Sequence, residues 1–499
     1  MSDDCNANPG ITVEVDPLAS RSVKPLRLVK PCTLPIVAVL PDGSVVSEKT
    51  GQIIPWIRYA AGVRTMPRHI IVTFSTEGWL LRLHDLWKDD PRWTWSVTVQ
   101  QKPNRREMHH VAYYGFRPTG RKVPYANLVL DAGSFTNDTN ADLIALGVWV
   151  RDFCNTYGLR LRASAAGIAS QLLRHPMFYP EARRAVPKFI NETARAHLPG
   201  PHYESYTDTA QRIEAAMYID QEAAYHYAAT VTPLPNANSV RACGYSRSNG
   251  KYARNGGVLY RREMRKHGLI CARAEVPRLS PKDQKYVPRF MRKAGVYNVW
   301  LWTNEIPYLE SFGLRILHLV SVWGTEETDT HIRDYAQWAA QLGRENPHLK
   351  ALLLMPYGSL GRRPDTMELH TPGGTDSLLL AGQWVEGTRK RKIDVHTYTS
   401  NALQLGLIQA HVRALSLDMA RQLSAHGREV ISIYADGIFI RLDETGTVPM
   451  FTPWRLKEDN LEVHLTQSLR VPVRASVRRD YLQTEPSQTE RQYANSDTQ

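Results

Sequence analysis

Residues 429–442 read EVISIYADGIFIRL, two apolar β-branched runs separated by Ala435-Asp436-Gly437. Runs of this kind pair as a hairpin around a tight Asp-Gly turn, which presents the Asp436 carboxylate at the tip of a hairpin whose sides are buried. Burying those sides demands a sheet and a core, which 499 residues can supply. Just before the hairpin, an amphipathic helical stretch covers roughly 401–426 and stops at Gly427. Taken alone, an Asp in a hairpin turn is commonly there for local turn geometry. It gains a chemical purpose only if it meets a metal or another charge.

A second carboxylate is placed to meet it. The apolar run EAAMYID ends at Asp220, and QEAAYHYAA reads as a helix, so Asp220 either caps that helix or faces a site. Two such carboxylates, one ending a strand and one on a hairpin tip, can hold divalent ions that align a 3′-hydroxyl with a triphosphate. A third element is the run from Lys350 to Gly358, in which Lys350 and Tyr357 stand seven residues apart. They share a helical face if the helix survives Pro356, and could then grip a triphosphate and stack on a base. An exposed helix with Lys and Tyr on one face is otherwise commonplace.

The order of these elements resembles motifs A, B and C of family B DNA polymerases, most nearly the protein-primed type of bacteriophages and linear replicons. Over roughly 195–460, Asp220-Gln-Glu-Ala-Ala-Tyr225-His226 stands where the family has Asp-x-x-Ser-Leu-Tyr-Pro. Lys350, Tyr357 and Gly358 match Lys-x6-Tyr-Gly, and Tyr434-Ala435-Asp436-Gly437-Ile438-Phe439 stands for Tyr-x-Asp-Thr-Asp-Ser. The resemblance implies that Asp220 and Asp436 are catalytic metal ligands for Mg²⁺, with Mn²⁺ as an alternative. It makes Tyr225 the steric gate against ribonucleotides, and Lys350, Tyr357 and Gly358 nucleotide contacts. Template-primer DNA, dNTPs and a terminal-protein primer are the implied partners.

This sequence departs from the family pattern in three places. The second motif C acid is replaced by Ile438, Leu354 and Met355 stand where motif B has Asn-Ser, and no Asp-x-Glu pair occurs on an early strand. Glu77, Asp131 and Asp142 are the only exonuclease remnants that can be suggested. The expected fold is a multidomain α/β and α+β chain, with an RNase H-like exonuclease-type module, then palm and fingers with a short thumb. Its boundaries are a flexible lead-in (1–30), a degenerate exonuclease-like module (31–195) and a palm with motif A and a basic segment (196–335). Fingers (336–365), an insertion (366–398), the palm with motif C (399–450), a thumb-like segment (451–482) and a disordered tail (483–499) follow. Within them, PIVAVL, HIIVTF, WSVTVQ and NLVLDAG read as strands of the first module, and 359–398 as loop-rich.

Charge supports a nucleic-acid partner. Between Arg241 and Trp300 there are 15 Lys/Arg and three acids, a window of +12 in a chain whose total is +13. Such a block is the usual footprint of a phosphate backbone, a solvated Arg-rich surface being the plain alternative. Arg241, Arg247, Lys251, Arg254, Arg261 and Arg262 are its candidate DNA contacts, with Arg389 and Lys390 as a second group. The 17 histidines show no metal-ligand spacing and receive no role, and the five cysteines form no C-x-x-C pair. No apolar run reaches a membrane span and no signal peptide opens the chain, so a cytoplasmic protein without membrane contact is expected. Two functional readings stand: a DNA-directed DNA polymerase, or a catalytically impaired polymerase-fold DNA-binding protein. A nuclease would need more acids than the first module offers.

Overall fold

The computed structural model describes residues 22–40, 42–54, 69–87, 93–100, 111–118, 128–136, 138–199, 203–205, 212–346, 349–362, 365–380, 382–395, 400–434, 436–441, 453–465 and 472–475. The tail expected at 483–499 lies outside them. The end of the lead-in is anchored rather than loose. Ser22–Val23 pairs with Arg183–Arg184, and Leu26 N donates to Arg174 O.

In the first module the strands run in the order 53–54, 45–47, 36–39, 70–73, 128–131, the first three antiparallel and the last two added in parallel. This is RNase H-like topology. Ile36–Val39 and Ile70–Thr73 are buried at every residue, as the middle of a two-sided sheet requires. The helix Leu143–Thr156 lies against them, and Gly147 permits the approach, because a Cβ there would come within 2.8 Å of both Val72 and Ile36. WSVTVQ does not join this sheet. Trp93–Gln100 pairs instead with Val111–Pro118 and with the distant strand Asp365–Leu380.

Within the stretch expected to be loop-rich, most of the described residues are strand. Lys350–Leu360 is helical through Pro356, and Asp365–Leu380 and Gln383–Val395 form a long antiparallel ribbon. The basic segment forms a sheet of its own, antiparallel throughout, from strands 241–244, 253–254, 315–325, 267–276 and 295–302. The described strands of the segment expected to be thumb-like extend the central sheet, whose order is 203–205, 430–434, 437–441, 212–221, 454–465, 472–475.

Pleating divides that central sheet into two faces. Met217, Ile219, Ile433, Ile438 and Ile440 sink into a core shared with Leu417, Ala420 and Leu423 of the helix Ala402–Ala425 and with the basic segment's sheet. Ala216, Tyr218, Ile431 and Phe439 make a smaller cluster on the other side. Asp220 follows Tyr218 by two residues, which puts it on this second face.

Candidate active site

Asp220 is the penultimate residue of strand Arg212–Gln221 and lies in register with Gly437, the first residue after Asp436. Gln221 N donates to Asp436 O at 3.0 Å, tying the two acidic positions together through the backbone. The alternative role for Asp220 as a helix cap is not the one seen. The following helix, Ala224–Val231, is capped by Ala223, whose φ of +49° makes it the only non-glycine in the left-handed region among the described residues. That strained turn sits between Asp220 and Tyr225, where strain tends to be kept for function.

Asp220 is 3% exposed, and its Oδ1 is buried without a hydrogen-bond partner. Its Oδ2 accepts from Lys457 Nζ at 2.9 Å. The Asp436 carboxyl is held above the usual carboxylate range, first by burial and then by the negative charge of Asp220, with Lys457 and Lys350 opposing. A buried carboxyl held up by a neighbouring carboxylate marks a place where a cation would be favoured. Mg²⁺ ordinarily takes one or two carboxylates and completes its shell with waters and phosphate oxygens, so a pair such as Asp220 and Asp436 could hold one such ion. Ile438 adds nothing to this pair. It is paired with Ile219 and fully buried in the core on the opposite face.

Nothing in the sequence singles out Lys457, since TPWRLK reads only as the start of a thumb. Its partner lies 237 residues away, a separation no local pattern bridges. Its ammonium also sits over the Tyr218 ring at 5.2 Å. Gly437 is what lets Tyr218 in, since a Cβ at 437 would collide with the phenol ring and hydroxyl.

Of the expected nucleotide contacts, Lys350 is exposed at the first turn of its helix, and its charge is felt by both Asp436 and His226. Gly358 is exposed with open space where a Cβ would stand. Tyr225 is half-buried, its ring 5.7 Å from that of Tyr357. Tyr357 corrects the expectation: it is 2% exposed, and its hydroxyl shares a 2.8 Å hydrogen bond with His226 Nδ1. It therefore offers no surface to a base. His226 is a histidine with a role that spacing does not suggest.

The suggested nuclease remnants sit on three different elements. Asp142 is the N-cap of Leu143–Thr156, accepting from the Ile144 and Ala145 amides, which is a structural duty. Asp131 ends strand Leu128–Asp131, and burial raises its carboxyl. Glu77 lies in the helix Thr76–Trp87. A cavity of about 250 Å³ opens at the ends of strands 36–39 and 70–73, lined by Val39, Leu40, Thr73, Phe74, Ser75, Gly78, Trp79 and Arg82. Among the described residues, no three His, Cys, Asp or Glu side chains are grouped to hold a metal.

The six candidates of the basic segment, Arg241, Arg247, Lys251, Arg254, Arg261 and Arg262, are all exposed. Arg247 stacks over Tyr252 at 4.9 Å, and Tyr252 lies 5.2 Å from His318, giving the sheet an aromatic-cationic patch. Lys390 is different. Its ammonium lies 2.6 Å from Glu368, so its charge is answered within the ribbon, while Arg389 donates to Gly373 O. Among the described residues, no helix is long and apolar enough to cross a membrane.

Among known proteins, similarity is found to solved structures. The chain is similar to Phi29 DNA polymerase complexed with single-stranded DNA, at 11% identity over 89% of this chain and 90% of that one, with a TM-score of 0.52. It is equally similar to Phi29 DNA polymerase complexed with primer-template DNA and incoming nucleotides, at 11% identity over 89% of each chain and a TM-score of 0.52. No protein-family model matches the sequence, and no curated protein matches it. The likeness shows the fold: a multidomain α/β and α+β arrangement, its first module RNase H-like, shared with Phi29 DNA polymerase.

Proposed function

We propose that the protein is a DNA-directed DNA polymerase, extending a primer by template-directed addition of dNTPs. The observation that carries this reading is the juxtaposition of Asp220, near the end of its strand, and Asp436, in the turn leading into the neighbouring strand, with a buried, unpartnered Asp220 Oδ1 and an Asp436 that feels the Asp220 charge. Asp220 and Asp436 would hold Mg²⁺, or Mn²⁺, which would supply charge neutralisation at the triphosphate and a more acidic primer hydroxyl. Lys457 holds Asp220 in place and keeps the acidic pair from carrying a full double charge. Lys350, exposed at the start of its helix, is placed to bind the triphosphate. Tyr225 closes the sugar side of the pocket. Template and primer phosphates run over the basic sheet, with Arg247, Lys251 and Arg254 neutralising them and Tyr252 and His318 available for stacking. Replication of a phage or linear-replicon genome, primed by a terminal protein, is the setting this reading suggests.

The test is primer extension with Mg²⁺ or Mn²⁺. Asp220→Asn and Asp436→Asn should each lower incorporation by about 10³-fold or more, the several kcal/mol a metal clamp contributes, while DNA binding persists. The second reading, a DNA-binding protein without catalysis, is favoured by one observation: Ile438 is buried where the family carries its second motif C acid. Wild-type protein that binds primer-template yet incorporates no nucleotide with either ion would establish that reading instead.

A further inference from the structure

Three tyrosines and a histidine converge behind the proposed nucleotide pocket. Ala223 turns the chain through its left-handed conformation, so that Tyr225 and His226 leave the first turn of the following helix in different directions. Tyr225 stays half-exposed beside the site, whereas His226 is 4% exposed. Both meet Tyr357, Tyr225 with ring centroids 5.7 Å apart and His226 at 5.3 Å with the 2.8 Å hydrogen bond to its hydroxyl. Tyr335 closes the far side of Tyr357 at 6.1 Å, and its own hydroxyl donates to Leu353 O at 2.6 Å. That brace falls beside Pro356, which leaves the helix one backbone donor short.

Tyr357 is thus held on two sides and has spent its polar atom on His226. What remains available to it is mechanical: its ring is the surface against which Tyr225 rests. Burial keeps His226 uncharged, its pKa lowered to about 4 by desolvation and by Lys350, so the bond to Tyr357 persists unchanged across neutral pH. In the resembling family a proline occupies the position of His226, and so this anchor belongs to the present chain.

We propose that His226 is a positioning residue for sugar discrimination: through the Tyr357 hydroxyl it fixes the ring on which Tyr225 rests, and so sets how firmly the site rejects a ribonucleotide. This rests on the polymerase reading. A gate ring that can retreat by a fraction of an ångström admits a 2′-hydroxyl while still accepting a deoxyribose. Loosening the anchor therefore acts on the ratio between substrates more than on either rate.

The experiment measures single-nucleotide incorporation of dATP and ATP opposite a templating thymine, by wild type and by His226→Leu, His226→Asn and Tyr357→Phe. His226→Leu removes the hydrogen bond, Tyr357→Phe removes it by deleting a single oxygen, and the amide of Asn can restore it. His226→Leu and Tyr357→Phe should each lower the dATP/ATP ratio of kcat/KM by about tenfold or more, chiefly by lowering KM for ATP, with His226→Asn close to wild type. The His226→Leu/Tyr357→Phe double variant should be no worse than either single one. Thermal unfolding shows which variants fold, and Tyr357→Phe keeps the question open to measurement if His226→Leu does not. A wild type that incorporates dATP, with a Tyr357→Phe ratio equal to its own, overturns the proposal alone. A wild type that incorporates neither nucleotide overturns the polymerase reading and this proposal together.

Discussion

An aspartate introduced at position 438 would restore the family's second motif C acid in sequence but not in space. Ile438 is in register with Ile219 and buried among Ile433, Leu417 and Ala420, on the face of the sheet that does not carry Asp220. A carboxylate there has no partner and no water, so Ile438→Asp should cost about 3 kcal/mol or more of stability and leave incorporation no faster than wild type. Denaturant unfolding and primer extension check it together; a stable variant with faster incorporation would refute the assignment of faces. The same residues show what the sequence could disclose. Asp220 and Asp436 are legible because each interrupts an apolar run at its end. Lys457 and the direction of Ile438 are not, because both depend on pairings between strands more than 200 residues apart, and only register decides which face a residue takes.

Elements follow the same logic. The helix Ala402–Ala425 is readable from its length, its apolar spacing and Gly427 (φ +79°) beyond its end. The ribbon of 365–395 is not, because Pro372, Gly373 and Gly374 look like loop chemistry. They sit at an irregularity in strand pairing, between Pro372 and Asp376, that leaves the ribbon intact. Within the long helix, Gly406 poses a contest between two effects. Helix propensity alone makes Gly406→Ala stabilising by about 1 kcal/mol. A Cβ at 406 would however collide with the Trp302 indole, which is 2% exposed and pinned by its Nε1 donating to His197 O at 3.0 Å. A rigid ring with a fixed polar end cannot step aside cheaply, and overpacking of this kind costs about 1–3 kcal/mol. Gly406→Ala should therefore lower the unfolding midpoint, and a raised midpoint would show that the indole can move.

At the scale of the whole molecule, charge and architecture coincide. The +12 of residues 241–300 belongs to a segment whose strands, with Arg315–Thr325, make one sheet built against the core of the central sheet, most of the cations lying on the turns and short helices between those strands. Not all of that charge is available to a ligand: Lys266 lies 2.6 Å from the buried Glu263, and Arg265 lies 3.5 Å from Glu326. Composition locates the block correctly but cannot separate its structural cations from its surface ones. If Arg247, Lys251 and Arg254 each meet a phosphate, replacing all three with Gln should flatten the dependence of log K on log salt. On duplex DNA the slope should fall by about 0.9 for every phosphate that is no longer neutralised. Filter binding of a primer-template across a salt series measures it; an unchanged slope would move the DNA path off this sheet.

The pairing of Trp93–Gln100 with Asp365–Leu380 also dictates the order in which the protein can be completed. Gln100 faces Met367, a separation of 267 residues (367 − 100). At ribosomal rates of roughly 5–20 residues per second, that strand waits about 13–53 s for its neighbour to be made. Throughout this interval its outer edge is an open row of backbone donors and acceptors, the kind of edge that recruits strands from other chains. Trp93–Gln100 is thus synthesised early but sealed late, its edge staying open until most of the sequence already exists.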